Sequence, residues 1–344
     1  MKYSIIVPVY NRPDEVDELL ESLCSQTVKD FEVVIVEDGS QKPCKDVCDK
    51  YASILDLHYY NKENSGPGQS RNYGVERAHG EYVIILDSDV VLPAGYLAAV
   101  DAQLHSSFLI SHSSLCEAWG GPDASHPSFT PVQKAISYSM TSFFTTGGIR
   151  GGKKKLDKFY PRSFNMGMRR DVYQQLGGFS KMRFGEDIDF SYRIVEAGYQ
   201  PQLFPEAWVW HKRRTDLRKF FRQVYNSGIA RINLEKRHPG TLKLVHLLPT
   251  VFTIGVLGCL LLAVGCCLLG VSYWWIPLLP LLLYALLIGT DATLQNKSLY
   301  VGLLSIPAAF TQLMGYGLGF IESWWKRCVL GKDEFQAFEK TFYK

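Results

Sequence analysis

Between residues 244 and 320 almost every side chain is apolar, and no earlier part of the chain matches that stretch. Hydrophobic residues fill 47% of the 344 positions, so it is their crowding into this region that divides the chain. Three segments stand out: 244–269, 273–288 and 299–320. A helix that crosses a bilayer needs roughly 20 consecutive apolar residues. The second segment is short and contains Pro277 and Pro280. Trp274, Trp275, Trp324 and Trp325 lie near segment ends, where an aromatic belt meets the headgroups. A buried helical core is the competing account, yet residues 257–269 carry no charge, and membrane insertion is the expectation.

The preceding residues have the pattern of an α/β protein. Residues 3–9 are a β-branched run that ends in Tyr10 and Asn11. Pro13 opens a helix with Asp14, Glu15 and Asp17 in its first turns and Val16, Leu19, Leu20 and Leu23 on one face. Strands are expected at 31–36, 55–60 and 82–86, with helices at 43–53 and 66–78 between them. This alternation predicts a mainly parallel sheet with crossover helices. Three strands end in polar residues: Tyr10 and Asn11, Glu37 and Asp38, Asp87 and Asp89. In a parallel sheet those ends share one edge, where ligands collect.

Residues 82–91, YVIILDSDVV, carry two carboxylates, Asp87 and Asp89, one residue apart. Such a pair is costly unless something positive lies between its members, and a divalent cation carrying phosphates is the usual solution. No G-x-G-x-x-G follows the first strand and no G-x-x-x-x-G-K-[ST] occurs, so Rossmann dehydrogenases and P-loop enzymes lose support. A net charge of +3, with no basic stripe interleaved with aromatics, argues against a nucleic-acid partner. The first residues, MKYSIIVPVYNRP, have too short an apolar run for a signal peptide, so this part is expected in the cytosol. The eight cysteines, with Cys44 and Cys48 one turn apart and no second pair, are read as reduced packing residues rather than a zinc site.

Five pieces in order now resemble glycosyltransferase family 2, the inverting enzymes of GT-A fold: VPVYN at 7–11, VEDGS at 36–40, GPGQSRNYG at 66–74, LDSDV at 86–90 and GEDIDFSYR at 185–193. They cover residues 1 to about 215, and Glu37 stands where the family more often has Asp. The resemblance implies a Rossmann-like, mainly parallel sheet flanked by helices and a nucleotide-sugar donor. It implies that Pro8, Tyr10 and Asp38 line the nucleoside, that Arg71 faces the base or the phosphates, and that Asp87 lies near the ribose or the metal. Asp89 would ligate Mg²⁺ or Mn²⁺ on the diphosphate. In isolation Asp38-Gly39-Ser40 would be a plain turn with an Asx cap.

An inverting transfer needs a base for the acceptor hydroxyl, and the resemblance gives that place to Asp187, with Glu186 helping to position the acceptor. The same segment also fits an acidic helix N-terminus with Phe190, Ile194 and Val195 on its apolar face. His211 is a further metal-ligand candidate by resemblance, although a lone histidine is more often a structural hydrogen-bonder. The charges at His211–Arg214, Arg218 and Lys219 face either the donor diphosphate or, as favoured here, anionic lipid. The segment 147–155, GGIRGGKKK, is a solvated loop or a lid, and the resemblance puts residues 162–167 beneath acceptor and sugar.

The expected organisation is a GT-A domain at 1–215, an amphipathic interfacial linker at 216–243, a transmembrane region of two or three helices at 244–325 and a polar tail at 326–344. The basic residues ahead of the first apolar segment place the catalytic domain in the cytosol, on a multi-pass protein of the cytoplasmic membrane. Three full spans would put the C-terminus outside, whereas Lys326, Arg327 and Lys332 prefer inside, so one segment could be re-entrant or interfacial. The expected activity is metal-dependent transfer, from a UDP-sugar above all, to a hydroxyl of a polyprenyl-linked or surface-polysaccharide acceptor. The alternatives are a polyprenyl-phosphate glycosyltransferase and a non-catalytic nucleotide-sugar-binding membrane protein. A processive synthase is disfavoured, because Gln223-Val224-Tyr225-Asn226 only begins like Q-x-x-R-W.

Overall fold

The computed structural model describes residues 1–111, 116–126, 128–146 and 159–337, and the glycine-rich basic segment 147–155 lies outside them. The described residues form two compact units: Met1–His126 with Lys155–Lys212, and Pro127–Lys154 with Arg213–Lys344. The described residues between 128 and 146 group with the second unit.

In the first unit, β1 (Tyr3–Val9), α1 (Pro13–Cys24), β2 (Phe31–Asp38), α2 (Lys45–Tyr51), β3 (Leu57–Lys62), α3 (Pro67–Val75) and β4 (Tyr82–Leu86) alternate as the sequence pattern requires. They are followed by β5 (Val90–Val91), α4 (Tyr96–Ser111), β6 (Ala118–Gly120) and β7 (Asp123–Ala124). After α5 (Pro131–Thr141) and α6 (Phe143–Thr146) of the second unit, the chain returns with β8 (Asn165–Arg169), α7 (Arg170–Gln175), α8 (Glu186–Glu196), β9 (Gln202–Leu203) and β10 (Val209–His211).

The main sheet runs β3-β2-β1-β4-β8-β6-β9. Its first four strands are parallel, and β8 is antiparallel to both β4 and β6. The sheet is therefore mixed, with β8 reversing the strand direction beside β4. Alternate residues of β1 feed two apolar layers. Ile5, Val7 and Val9 join Leu19 and Leu20 of α1 and Leu97 and Val100 of α4. Ile6 joins Val75 of α3, Tyr173 of α7 and Phe190 and Ile194 of α8. Gly74 lets α3 lie close on β1, since a Cβ there would come within 2.6 Å of Ile6 Cγ2. A smaller sheet, β5-β10-β7, pairs His211 with Val90.

The second unit also contains α9 (Leu217–Arg237), α10 (Leu248–Leu268), α11 (Leu279–Asn296) and α12 (Leu299–Trp324). The stretches Leu244–Leu268, Ile276–Asn296 and Leu299–Val329 are helices long and apolar enough to cross a membrane. Pro280 sits in the first turn of α11, where a missing N–H costs nothing, so it opens the helix rather than shortening it. Small residues on α12 let neighbours approach: a Cβ on Gly319 would lie 2.1 Å from Tyr225 O, and one on Gly317 would lie 2.2 Å from Thr253 Oγ1. Helix α9 buries Phe220, Val224, Ile229 and Ile232, and Ile229 O accepts a 3.2 Å hydrogen bond from Ser323 Oγ on α12.

Candidate active site

Because β2, β1 and β4 are parallel neighbours, their carboxyl ends lie along one edge. Pro8 is the penultimate residue of strand β1, Tyr10 follows the strand, and Asn11 adopts φ +55°. That left-handed backbone aims the Asn11 side chain across to the next strand end, where Oδ1 accepts the N–H groups of Gln41 (2.7 Å) and Lys42 (2.9 Å). Glu37 serves as an anchor: its carboxylate accepts from Ser40 Oγ, from the Cys44 N–H at 2.7 Å and from Tyr59 at 3.3 Å. Asp38 is buried and accepts from Lys62 Nζ (2.6 Å) and from the N–H groups of Ser65 and Gly66 (both 2.9 Å). It thereby fixes the loop that leads into α3 and Arg71.

Asp87, Asp89 and His211 offer one ligand atom each, all within 4.8 Å of one another. His211 reaches this group through the small sheet: β10 pairs antiparallel with β5, directly after Asp89, and the Lys212 N–H donates to Asp89 O at 3.0 Å. His211 Nε2 is 3.3 Å from Asp89 Oδ1 and its ring stacks on Phe164 at 4.9 Å. Its Nδ1 lies 3.8 Å from Asp123, a distance for charge attraction rather than a hydrogen bond. Burial would lower the His211 pKa, but Asp123 and Asp89 outweigh it and push the imidazole up to about 9. Arg12 Nη1 donates to Asp89 Oδ2. Two carboxylates and an imidazole suit a hard or borderline divalent ion, so the donor set fits Mg²⁺ or Mn²⁺.

Arg71 links this group to the start of α8. Its Nη2 donates to Asp87 Oδ1 at 2.8 Å and its Nη1 to Glu186 Oε1 at 2.9 Å, while the guanidinium lies 5.1 Å from the Phe179 ring. Burial disfavours the Arg71 charge, but Asp87 and Glu186 raise its pKa above the usual value. Gly185, at φ +85°, turns the chain into α8 so that Glu186 and Asp187 occupy its first turn. Burial pushes the Glu186 carboxyl up to about 7 against the pull of Arg71. Asp187 behaves oppositely. Burial would raise it, but Arg162, whose Nε donates to Oδ2 at 2.6 Å, holds the carboxyl below the usual range. Asp189 turns away and pairs with Arg193 at 3.2 Å.

The structure thus joins Arg71 directly to Asp87 and Glu186 and His211 to Asp89, with ligand atoms of Asp87, Asp89 and His211 within 4.8 Å of one another, and Asp187 follows Glu186 in the chain. Sequence reasoning missed Arg12, Asp123 and the grip of Arg162 on Asp187. Arg162 had a signal, since it opens the 162–167 segment, whereas Arg12 and Asp123 had none. The basic cluster is largely engaged: Lys212 pairs with Glu18 at 2.6 Å, Arg213 is buried and Arg214 donates to Gln223 at 3.3 Å. Arg218 and Lys219 are exposed on the first turn of α9.

Known glycosyltransferases resemble the chain in sequence and in fold. A poly(ribitol-phosphate) beta-N-acetylglucosaminyltransferase of Staphylococcus aureus is 33% identical over 152 residues, 41% of this chain and 26% of that protein. A pre-mycofactocin glycosyltransferase of Mycobacterium tuberculosis is 26% identical over 249 residues, 69% of this chain and 48% of that one. An uncharacterized glycosyltransferase of Rickettsia felis is 36% identical over 117 residues, 33% of this chain and 19% of its own length. The chain therefore spans less than half the length of these curated relatives. Among solved structures, a mannosyltransferase of Pyrobaculum calidifontis in complex with GDP-Man and Mn²⁺ shares the fold, with a TM-score of 0.57 at 16% identity over 95% of this chain and 88% of that one. The family profile described as glycosyl transferase family 2 matches residues 4–107, and that of glycosyl transferase family group 2 matches residues 82–289. With the second match covering more than half of its residues, the chain belongs to glycosyltransferase family 2.

Proposed function

We propose that the protein is a membrane-anchored, inverting glycosyltransferase that moves a sugar from a nucleotide sugar, of the UDP class above all, to a hydroxyl of a lipid-linked or surface-polysaccharide acceptor. The observation that carries this is the Arg71 bridge, which ties a carboxylate of the Asp87–Asp89–His211 group to the Glu186–Asp187 pair. Pro8, Tyr10 and Asp38 line the nucleoside at the parallel strand ends. Asp89, Asp87 and His211 would hold Mg²⁺ or Mn²⁺, which when bound neutralises the diphosphate leaving group. Arg71 keeps a fixed positive charge beside that group.

Asp187 takes the proton from the acceptor hydroxyl as that oxygen attacks the anomeric carbon. Its low pKa keeps it ionised at neutral pH, and Arg162 together with the Ile188 N–H (2.9 Å) fixes its orientation. Glu186 positions the acceptor and shares its charge with Arg71. A base is needed by a hydroxyl and not by an already ionised phosphate, which favours a saccharide acceptor over polyprenyl phosphate. The apolar helices anchor the protein in the cytoplasmic membrane with the catalytic unit in the cytosol, and exposed Arg218 and Lys219 at the start of α9 suit an anionic lipid surface.

The test is donor turnover by the full chain in lipid nanodiscs, across a panel of UDP- and GDP-sugars with Mn²⁺. Expected are nucleotide release that stops with EDTA, loss of activity in Asp89→Asn, and, in Asp187→Asn, loss of transfer to a hydroxyl while nucleotide binding persists. Turnover indifferent to EDTA and to Asp89→Asn would overturn the metal assignment. Substantial hydroxyl transfer by Asp187→Asn would overturn the base.

A further inference from the structure

At the amino ends of the parallel strands, opposite the edge that carries the candidate active site, a second group of donor atoms gathers. Glu32 is the second residue of β2, His58 the second of β3, and His79 lies three residues before β4. The Glu32 carboxylate is 1% exposed, and its two oxygens are used differently. Oε1 is taken by two donors, Ser4 Oγ at 2.5 Å and the His79 N–H at 2.6 Å. Oε2 faces two rings, with His79 Nδ1 at 3.1 Å and His58 Nε2 at 3.4 Å. His58 Nε2 is in turn 3.1 Å from Asp56 Oδ1. One ligand atom from each of Glu32, Asp56 and His58 falls within 4.8 Å of the others.

We propose that Glu32, Asp56 and His58, with His79 holding Glu32 from the rim, form a binding site for a transition ion of the zinc class. With metal–nitrogen and metal–oxygen bonds of about 2.0–2.1 Å, the ligand atoms of a tetrahedral site lie about 3.3 Å apart. Within the group, His58 Nε2 lies 3.1 Å from Asp56 Oδ1 and 3.4 Å from Glu32 Oε2, and both spacings match that edge. An imidazole and two carboxylates are ligand types that borderline ions accept. The second shell is also present. Ser4 and the His79 amide orient the buried carboxylate through Oε1, and Ser4 Oγ itself accepts the Gly80 N–H at 2.8 Å. The ion has an entry path, because the His79 side chain is 72% exposed and that of Asp56 49%. Bound there, it would clip the start of β2 to the start of β3, without touching Asp87, Asp89 or His211.

The experiment uses tag-free full chain carrying Asp89→Asn, so that the candidate active site does not compete for the ion. Zn²⁺ is titrated against a chromophoric chelator, and Co²⁺ is added as a spectroscopic probe. Expected are one equivalent of tightly held Zn²⁺ and the intense visible bands of tetrahedral Co²⁺. Adding His79→Ala or His58→Ala should weaken Zn²⁺ binding by at least about tenfold, as loss of a supporting group at such sites does. His79 is exposed enough that its replacement leaves the fold intact, which far-ultraviolet circular dichroism checks. Weak octahedral Co²⁺ spectra, or Zn²⁺ affinity unchanged in both histidine variants, would overturn the proposal and would leave the reading of the active site standing.

Discussion

Arg162 donates from Nε to Oδ2 of Asp187 at 2.6 Å, and this contact reverses what burial alone would do to that carboxyl. The base must be ionised to accept a proton, so its pKa sets the acidic limb of the rate profile. Arg162→Met removes the opposing charge and lets burial raise the carboxyl. The acidic limb of kcat/KM should therefore move to higher pH, with a loss of about tenfold or more at pH 6 and partial recovery at pH 8. A limb at the same pH in parent and variant would show that Asp187 is not the group being read.

Arg71 compensates two carboxylates at once, Asp87 at 2.8 Å and Glu186 at 2.9 Å. Removing one partner of a buried ion pair leaves an uncompensated charge and costs about 3–5 kcal/mol. Arg71→Met should lower the unfolding free energy of the detergent-solubilised chain by about that amount. Arg71→Lys should recover only part of it, because an ammonium cannot present the two-pronged fork. Equal stabilities for the Met and Lys variants would argue against the bridge.

Glu186 gives a pH signature of opposite sign to that of Asp187. Its carboxyl is raised from 4.5 to about 7 in the folded chain. Across that window the folded state binds a proton that the unfolded state releases, so stability falls as pH rises from about 4.5 through about 7. Glu186→Gln has no such proton to lose. The thermal midpoint of the variant relative to the parent should therefore be higher at pH 8 than at pH 5. A difference that stays constant between those two pH values would refute this origin of the shift.

The parallel half of the sheet was legible because β1, β2 and β4 are long, β-branched and buried on both faces, so each reads as a continuous apolar run. The antiparallel edge was not. Strand β8 is Asn-Met-Gly-Met-Arg, and β6 and β9 are three and two residues long, too short for any period to register. Gly167 in β8 is explained only by tertiary packing, since a Cβ there would lie 2.1 Å from the Trp119 ring. The site followed the same division. Asp87, Asp89 and the Glu186–Asp187 pair stand at element ends that the sequence marks. Arg12 and Asp123 take part through pairing partners 77 and 88 residues away, which no local pattern records.

The C-terminal tail returns to the helix that precedes the apolar segments, and this bears on how many of them cross. Asn226 on α9 donates to Ala337 O at 3.2 Å and accepts the Ala337 N–H at 2.9 Å, and Arg237 pairs with Glu334 at 2.8 Å. Helix α9 carries Arg218, Lys219, Arg222, Arg231, Lys236 and Arg237, too many charges for it to span a bilayer. The tail and α9 must then lie on one side, which requires an even number of crossings. The arrangement we expect has α10 and α11 as the crossing pair, with α12, whose Gly319 and Ser323 pack on α9, returning without crossing. Lys326, Arg327 and Lys332 then stay with the basic start of α9, as the positive-inside rule prefers. Single cysteines at Ser272, Lys297 and Lys332 in a cysteine-free chain, probed with membrane-impermeant maleimide on sealed vesicles, check this arrangement. Lys297→Cys and Lys332→Cys should label from the same side and Ser272→Cys from the other, whereas labelling of Lys332→Cys together with Ser272→Cys would restore three full crossings.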